Sequence, residues 1–185
     1  MRDDTTLFLF TFVDDGRFAS LDADAQQAAL RARLAGAGWE IPAILERMGD
    51  TKTFYCDRVS QIHMPTWTRG RVALLGDAAA CVSLLAGQGS ALAMVEAYVL
   101  AAELAQARVN PAQAFARYEQ RLMPFLRSKQ KAAVRLAPAF APRSGRQLFL
   151  RNSIMKLFNV PFVASLVIGN SLRDAIELPS LPATA

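Results

Sequence analysis

Residues Gly70–Leu104 read GRVALLGDAAACVSLLAGQGSALAMVEAYVLAAEL, and this stretch decides the fold. Arg71–Leu75 is a short, mostly apolar run stopped abruptly by Gly76-Asp77. Such a run predicts a strand of a sheet covered on both faces, with its C-terminal end at a ligand crevice. Gly76 allows close backbone approach there, and Asp77 sets a carboxylate at the strand end, where hydroxyl or amide donors suit it. Further on, Gly87-Gln88-Gly89 opens a helix reaching about Ala107. Its first N–H groups and the positive end of its dipole face whatever lies in front. The helix is dense in small residues (Ala91, Ala93, Ala97, Ala101, Ala102) and can pack closely under a flat ligand. Together these features describe a site for a molecule with hydroxyls in one place and negative charge in another.

On the N-terminal side, Thr5–Val13 (TTLFLFTFV) and Thr51–Met64 (TKTFYCDRVSQIHM) are rich in β-branched and aromatic residues and predict two strands. The first ends at an Asp14-Asp15-Gly16 turn and would present a sheet edge; the second would bend near Asp57. Between them, Ser20 and Asp22 can cap a helix over about Ala23–Ala35, ended by Gly36-Ala37-Gly38, and Trp39–Met48 predicts a second short helix. Pro65–Gly70 is a turn, and Ala78–Leu85 reads as irregular and uncharged.

On the C-terminal side, Asn110-Pro111-Ala112-Gln113 is a strong helix start: an Asn cap, Pro at the first position and Gln three residues after the cap. That helix should run to about Leu136, kinked at Pro124, before Pro138 and Pro142 break the chain. Gly145–Phe158 and Phe162–Gly169 predict two further short helices before a Pro-containing tail. No internal repeat is present. Glu96 and Glu103, seven residues apart on the long helix, read as its polar stripe. His63, the only histidine, reads as a packing or hydrogen-bonding residue.

The 185 residues suffice for a hydrophobic core, and 52% apolar with 20% charged residues fits a folded soluble protein. Cys56 and Cys81, far apart and without metal-ligand spacing, predict free buried thiols of a reducing compartment; no metal site is expected. The start, MRDDTTLFLF, lacks the basic residues and apolar length of an export signal, so a cytoplasmic location is expected. Charge is uneven: residues 1–107 carry nine Lys/Arg against 13 Asp/Glu, and 108–185 carry 12 against three. A basic C-terminal part suits an anionic neighbour. The aromatic-interleaved pattern of a single-strand binder is missing, and solvated helix faces give the same charge count, so no nucleic-acid partner is expected. Leu148–Ile168 is apolar and flanked by Arg143 and Arg146, which suggests peripheral membrane contact or packing on the rest of a larger enzyme. Arg151, Lys156 and Pro161 prevent it from spanning.

The GD…GQG segment resembles the second flavin motif of the class A FAD-dependent monooxygenases, the p-hydroxybenzoate hydroxylase-like family. That pattern runs G-R-x-x-L-x-G-D-A-A, a short loop, then G-Q-G and a helix. The branch most resembled contains tetracycline-inactivating and polyketide or aromatic hydroxylases. Weaker likeness extends to Asp57–Trp67 (DRVSQIHMPTW), Tyr118–Phe125 (YEQRLMPF) and Ser171–Pro179 (SLRDAIELP), and so to essentially the whole chain.

The resemblance implies an α/β chain with a partial FAD fold. Residues 1–69 would be the rest of a substrate-binding sheet domain, 70–107 the flavin motif with its helix, and 108–185 a C-terminal helical region. It implies FAD contacts at Gly76, Asp77, Ala78, Gly87, Gln88, Gly89 and Ser90. Asp77 would accept hydrogen bonds from the ribityl hydroxyls, and Gly87–Gly89 would face the pyrimidine edge of the flavin ring. NAD(P)H would be the electron donor, O2 the oxygen source, and an aromatic or polyketide-like small molecule the substrate. The flavin carries that chemistry, so no catalytic side chain is assigned.

Two positions depart from the family pattern: Ala80 stands where many members have His, and Leu84 where many have Pro. The GxGxxG fingerprint that grips the ADP end is absent from the sequence, which predicts that the N-terminal dinucleotide-binding half is truncated, separately encoded or lost. A halogenase or prenyl reductase of the same fold, and a non-catalytic remnant or partner-dependent module, are the alternative readings.

Overall fold

The computed structural model describes residues 6–51, 53–108, 110–157 and 176–181. Two compact units divide the chain, Met1–Arg58 and Val59–Ala185.

In the first unit, Asp14 shapes the entry turn: its Oδ2 accepts from the N–H groups of Gly16 (2.8 Å) and Phe18 (3.0 Å). Helix α1 spans Ala23–Leu34, capped as expected by Asp22, whose Oδ1 accepts from Ala25 N–H at 2.8 Å. Helix α2 spans Ile41–Arg47 and continues as a 3-10 turn over Met48–Asp50. Phe18, Leu30 and Met48 form a small core on which Phe10, Phe12, Leu34, Leu45 and Phe54 pack.

The expected strands at Thr5–Val13 and Thr51–Met64 do not form among the described residues, so the sheet edge expected at 5–13 does not form either. β-prone residues specify a strand only when a neighbouring strand takes their amides. Here Phe10 and Phe12, partly buried, pack against the small core instead. Arg33 of α1 donates to the Val13 carbonyl at 2.6 Å, with its guanidinium 4.6 Å from the Phe12 ring centre.

In the second unit, strands β1 (Thr68–Arg69) and β2 (Val72–Ala73) form an antiparallel hairpin, pairing Thr68 with Ala73 and Arg69 with Val72. Gly70 turns it at φ +59°. The strand expected over Arg71–Leu75 is therefore two residues long, and Val72 and Leu75 are exposed. The apolar run does not identify a doubly covered strand, because the hairpin is the only ladder among the described residues.

Helix α3 (Asp77–Ala80) and a 3-10 turn (Leu84–Ala86) give order to a segment that reads as irregular. Helices α4 (Gly89–Ala107) and α5 (Pro111–Phe140) pack together around Leu92, Val99, Tyr118, Leu122, Leu126 and Ala133, with Trp67 and Ala79 from the hairpin side. Asn110 caps α5 as its sequence predicts, accepting from Gln113 N–H at 3.2 Å. The helix continues past Leu136 through Pro138. The bond lost at Pro138 would have gone to the Val134 carbonyl, on an exposed residue where water can replace it.

Glu96 and Glu103 are not a solvated stripe: they are 2% and 1% exposed. Glu103 faces α5 instead, its Oε2 lying 2.6 Å from Arg117 Nε and its Oε1 3.4 Å from Arg121 Nε. Gln106 Nε2 and Arg121 Nη1 donate to the carbonyls of Ser180 and Glu177, both at 2.9 Å, fastening residues 176–181 to this helix pair.

Helix α6 spans Gly145–Leu157 and exposes Leu148, Phe149, Leu150, Ile154 and Met155. The helix expected over Phe162–Gly169, and residues 158–168 of the segment considered for membrane contact, lie outside the described residues. Among the described residues the α/β expectation becomes a helix-rich architecture with one small sheet.

Candidate functional site

The sequence-predicted residues gather where β2 ends and α4 begins. Gly76 has φ +62° and ψ −142°, a combination essentially confined to glycine. A β-carbon there would also lie 3.3 Å from Ala93 Cβ on the first turns of α4. Gly76 thus lets the strand end cross close over the helix. Asp77 follows at the first position of α3 and is exposed, as is Ala78. A β-carbon at Gly89 would lie 3.8 Å from Asp77 Oδ1, so the carboxylate adjoins the N-terminus of α4.

That N-terminus is built to present backbone. Gly87 adopts a left-handed conformation (φ +63°, ψ 11°), and Gln88 occupies the cap position without a side-chain cap bond. The uncapped first turn, with exposed Ser90, leaves N–H donors and the positive dipole end for an anion or carbonyl. Gly76, Asp77 and Gly89 are thus brought together, with Ala78 and Ser90 on their accessible side.

Two features of this region escape sequence reading. The buried Glu96 carboxylate accepts the Gly76 N–H at 2.5 Å, and its Oε2 lies 3.4 Å from the Tyr118 hydroxyl, which donates to the Leu74 carbonyl at 3.0 Å. Burial pushes the Glu96 carboxyl above its ordinary range, against the Gly76 and Tyr118 hydrogen bonds; burial and the nearby Glu96 raise the Tyr118 phenol strongly. An acid isolated in an apolar helix was the available signal.

Buried Gln130 of α5 donates from Nε2 to the carbonyls of Ile62 (2.7 Å) and Cys81 (3.2 Å). Gln61 Nε2 in turn donates to the carbonyls of Val82 (2.7 Å) and Gln130 (2.9 Å). This clamp fixes the loop between α3 and α4; exposed His63 joins it, its Nε2 3.0 Å from Gln61 Oε1.

Cys56 and Cys81 are free and half-buried. Burial first, then the Asp77 charge, raises the Cys81 thiol, which stays protonated and unreactive at neutral pH. Of the two departing positions, Ala80 is buried in the core and Leu84 is exposed.

Residues 23–128, more than half of the chain, match the FAD binding domain family.

The chain belongs to the FAD binding domain family.

It is 40% identical over 152 residues to a flavin-dependent monooxygenase of an unknown prokaryotic organism, a match covering 76% of this chain and 39% of that protein. It is 44% identical over 119 residues to a flavin-dependent monooxygenase of Legionella longbeachae serogroup 1 (strain NSW150), covering 64% of this chain and 31% of that one. The crystal structure of tetracycline destructase Tet(55) superposes with a TM-score of 0.67 at 38% identity, over 86% of this chain and 40% of that chain. The resemblance read from GD and GQG is thus shown, and the named relatives are flavoprotein oxidoreductases. The chain spans about two fifths or less of the length of these proteins.

The residues present fit part of FAD. The Cβ-free crossing at Gly76 admits close backbone approach, Asp77 offers an acceptor to polyol hydroxyls, and the uncapped α4 turn offers donors to the electron-rich edge of a flavin.

Proposed function

We propose that this chain is the C-terminal portion of an FAD-dependent monooxygenase and contributes the ribityl and ring side of its flavin site. The observation that carries this reading is the adjacency of Asp77 to the uncapped N-terminus of α4, inside the stretch that matches the family. When bound, FAD supplies the redox and oxygen-transfer chemistry, with NAD(P)H as its electron source.

The chain's own residues bind and orient. Asp77 accepts hydrogen bonds from the ribityl hydroxyls, with Gly76 and Ala78 as its backbone flanks. Gly87, Gln88, Gly89 and Ser90 present N–H groups to the pyrimidine edge, where the helix dipole is worth roughly 0.3–2 kcal/mol toward an anion. Residues 1–69 contribute to the substrate side, and the substrate is an aromatic or polyketide-like small molecule. The structural likeness to a tetracycline destructase supports that class. The alternative flavoenzymes and the non-catalytic module gain no support from these relatives.

The absent GxGxxG fingerprint leaves the adenosine and pyrophosphate without their usual partner in these 185 residues. Alone, the chain is expected to bind FAD reversibly and weakly, with Kd above roughly 1 μM, and to consume no NAD(P)H. Gel filtration after incubation with FAD tests this: flavin should separate from the protein. Stoichiometric FAD co-eluting with the lone chain would overturn the fragment reading.

A further inference from the structure

Glu96 sits in the second turn of α4, seven residues after Gly89, and never reaches the accessible side of the site. Its carboxylate instead ends on one backbone atom, the N–H of Gly76 at 2.5 Å, immediately before Asp77. A buried carboxylate without a cationic partner is costly, and a neutral apolar residue would pack there at less expense. Apart from the Gly76 N–H, the Tyr118 hydroxyl faces it, whose own hydrogen bond goes to the Leu74 carbonyl two residues earlier on the same turn, and the Asp77 carboxylate is close enough for its charge to act on it. Glu96 and Tyr118 therefore hold both flanks of the Leu74–Gly76 turn from below, while Ala93 leaves room for Gly76 to cross.

We propose that Glu96, with Tyr118, is a positioning residue of the flavin site: by holding Gly76 in its positive-φ conformation it aims Asp77 at the ribityl chain. The inference rests on the reading of Asp77 as a flavin ligand. Glu96 acts through the backbone and touches no cofactor. Its acceptor oxygen matters, not its charge, so glutamine retains the function and leucine, of similar size, does not.

The test uses the full chain with three substitutions, Glu96→Gln, Glu96→Leu and Asp77→Ala, and the double variant of the last two. Amide exchange at Gly76 by NMR reports the hydrogen bond without any flavin, and quenching of FAD fluorescence reports binding. Glu96→Gln should keep Gly76 protected and FAD affinity within about threefold of wild type. Glu96→Leu should speed Gly76 exchange at least about 100-fold and weaken FAD at least about tenfold. Adding Asp77→Ala to Glu96→Leu should weaken it little further, because both remove the same contact.

Unchanged FAD affinity in a folded Glu96→Leu, or full additivity with Asp77→Ala, overturns the positioning role while leaving the flavin reading intact. If Glu96→Leu does not fold, Glu96→Gln decides alone: loss of Gly76 protection or of more than tenfold in affinity overturns it. A wild-type chain that shows no saturable FAD binding removes the flavin reading and this inference together.

Discussion

Arg117 Nε lies 2.6 Å from Oε2 of Glu103, joining α5 to α4 through a carboxylate that is 1% exposed. Arg121 completes the pairing from 3.4 Å, and Arg117 also reaches the Glu103 backbone carbonyl. Removing one member of a buried pair strands the other charge, at roughly 3–5 kcal/mol when burial is complete. Both guanidinium side chains are 35% exposed, so water and the remaining arginine soften the loss. Arg117→Ala is expected to destabilise by about 2 kcal/mol, a drop of roughly 4–8 °C in Tm. Glu103→Leu, which leaves two half-solvated cations, should cost less. Thermal unfolding followed by circular dichroism checks the order; equal or reversed effects would contradict it.

Gly76 is constrained twice, by φ +62° and by the 3.3 Å approach a β-carbon would make to Ala93. Gly76→Ala is expected to cost about 1–3 kcal/mol, mostly as backbone strain. Adding Ala93→Gly relieves the contact but not the strain, so the double variant should recover only a small part. Chemical denaturation of the single and double variants separates the two terms. Full recovery would place the cost in the contact instead.

Two buried or half-buried glutamates give opposite pH dependence. Burial raises the Glu96 carboxyl above its unfolded range. Its penalty is absent below the ordinary glutamate range and builds as pH rises from that range to the raised value, so wild type should lose stability relative to Glu96→Gln across that interval and run parallel to it above. At Glu119, burial acts upward, but hydrogen bonds from Thr66, Thr68 and the Trp67 N–H outweigh it and lower the carboxyl. That stabilisation is present above the ordinary glutamate range and lost as pH falls through the lowered value. Glu119→Gln should flatten the acid limb of the stability profile. Urea midpoints across pH for the three proteins measure both slopes, and parallel curves would refute the assignment.

Gln130 spans from α5 to the carbonyls of Ile62 and Cys81, across the root of the loop that leads to Gly87. Gln130→Leu keeps the volume but removes a donor from two part-buried carbonyls, of which that of Cys81 still accepts from Ile62 N–H. A cost of about 1–3 kcal/mol is expected. The Ile62 N–H, bonded to the Cys81 carbonyl at 3.2 Å, should exchange faster, whereas the amides in the middle of α5 should not. Uniform acceleration along α5 would show that Gln130 supports the helix instead of the loop.

The helices were legible because their signals are local. Asp22, Asn110 and Pro111 cap or start helices where the sequence places them, and Gly87 and Gly89 bracket the start of α4. The strands were not. Phe10, Phe12 and Phe54 have β propensity, but propensity does not supply the partner whose carbonyls a ladder needs, and those rings pack on α1 and its neighbours. In the candidate site, Gly76, Asp77 and the GQG turn were readable from spacing and turn chemistry. Glu96 was misread as surface because helical periodicity gives a face and not what covers it. Its cover, Tyr118, lies 22 residues away on α5.

The most direct test is an equilibrium titration of FAD fluorescence with the full chain, wild type beside Asp77→Ala, both shown to be folded. Saturable wild-type binding that weakens at least about tenfold in Asp77→Ala is the expected result, a difference of about 1.4 kcal/mol or more for the lost ribityl contacts. Equal binding by the two proteins, or no saturable binding by wild type, would contradict the assignment of this strand end to the flavin.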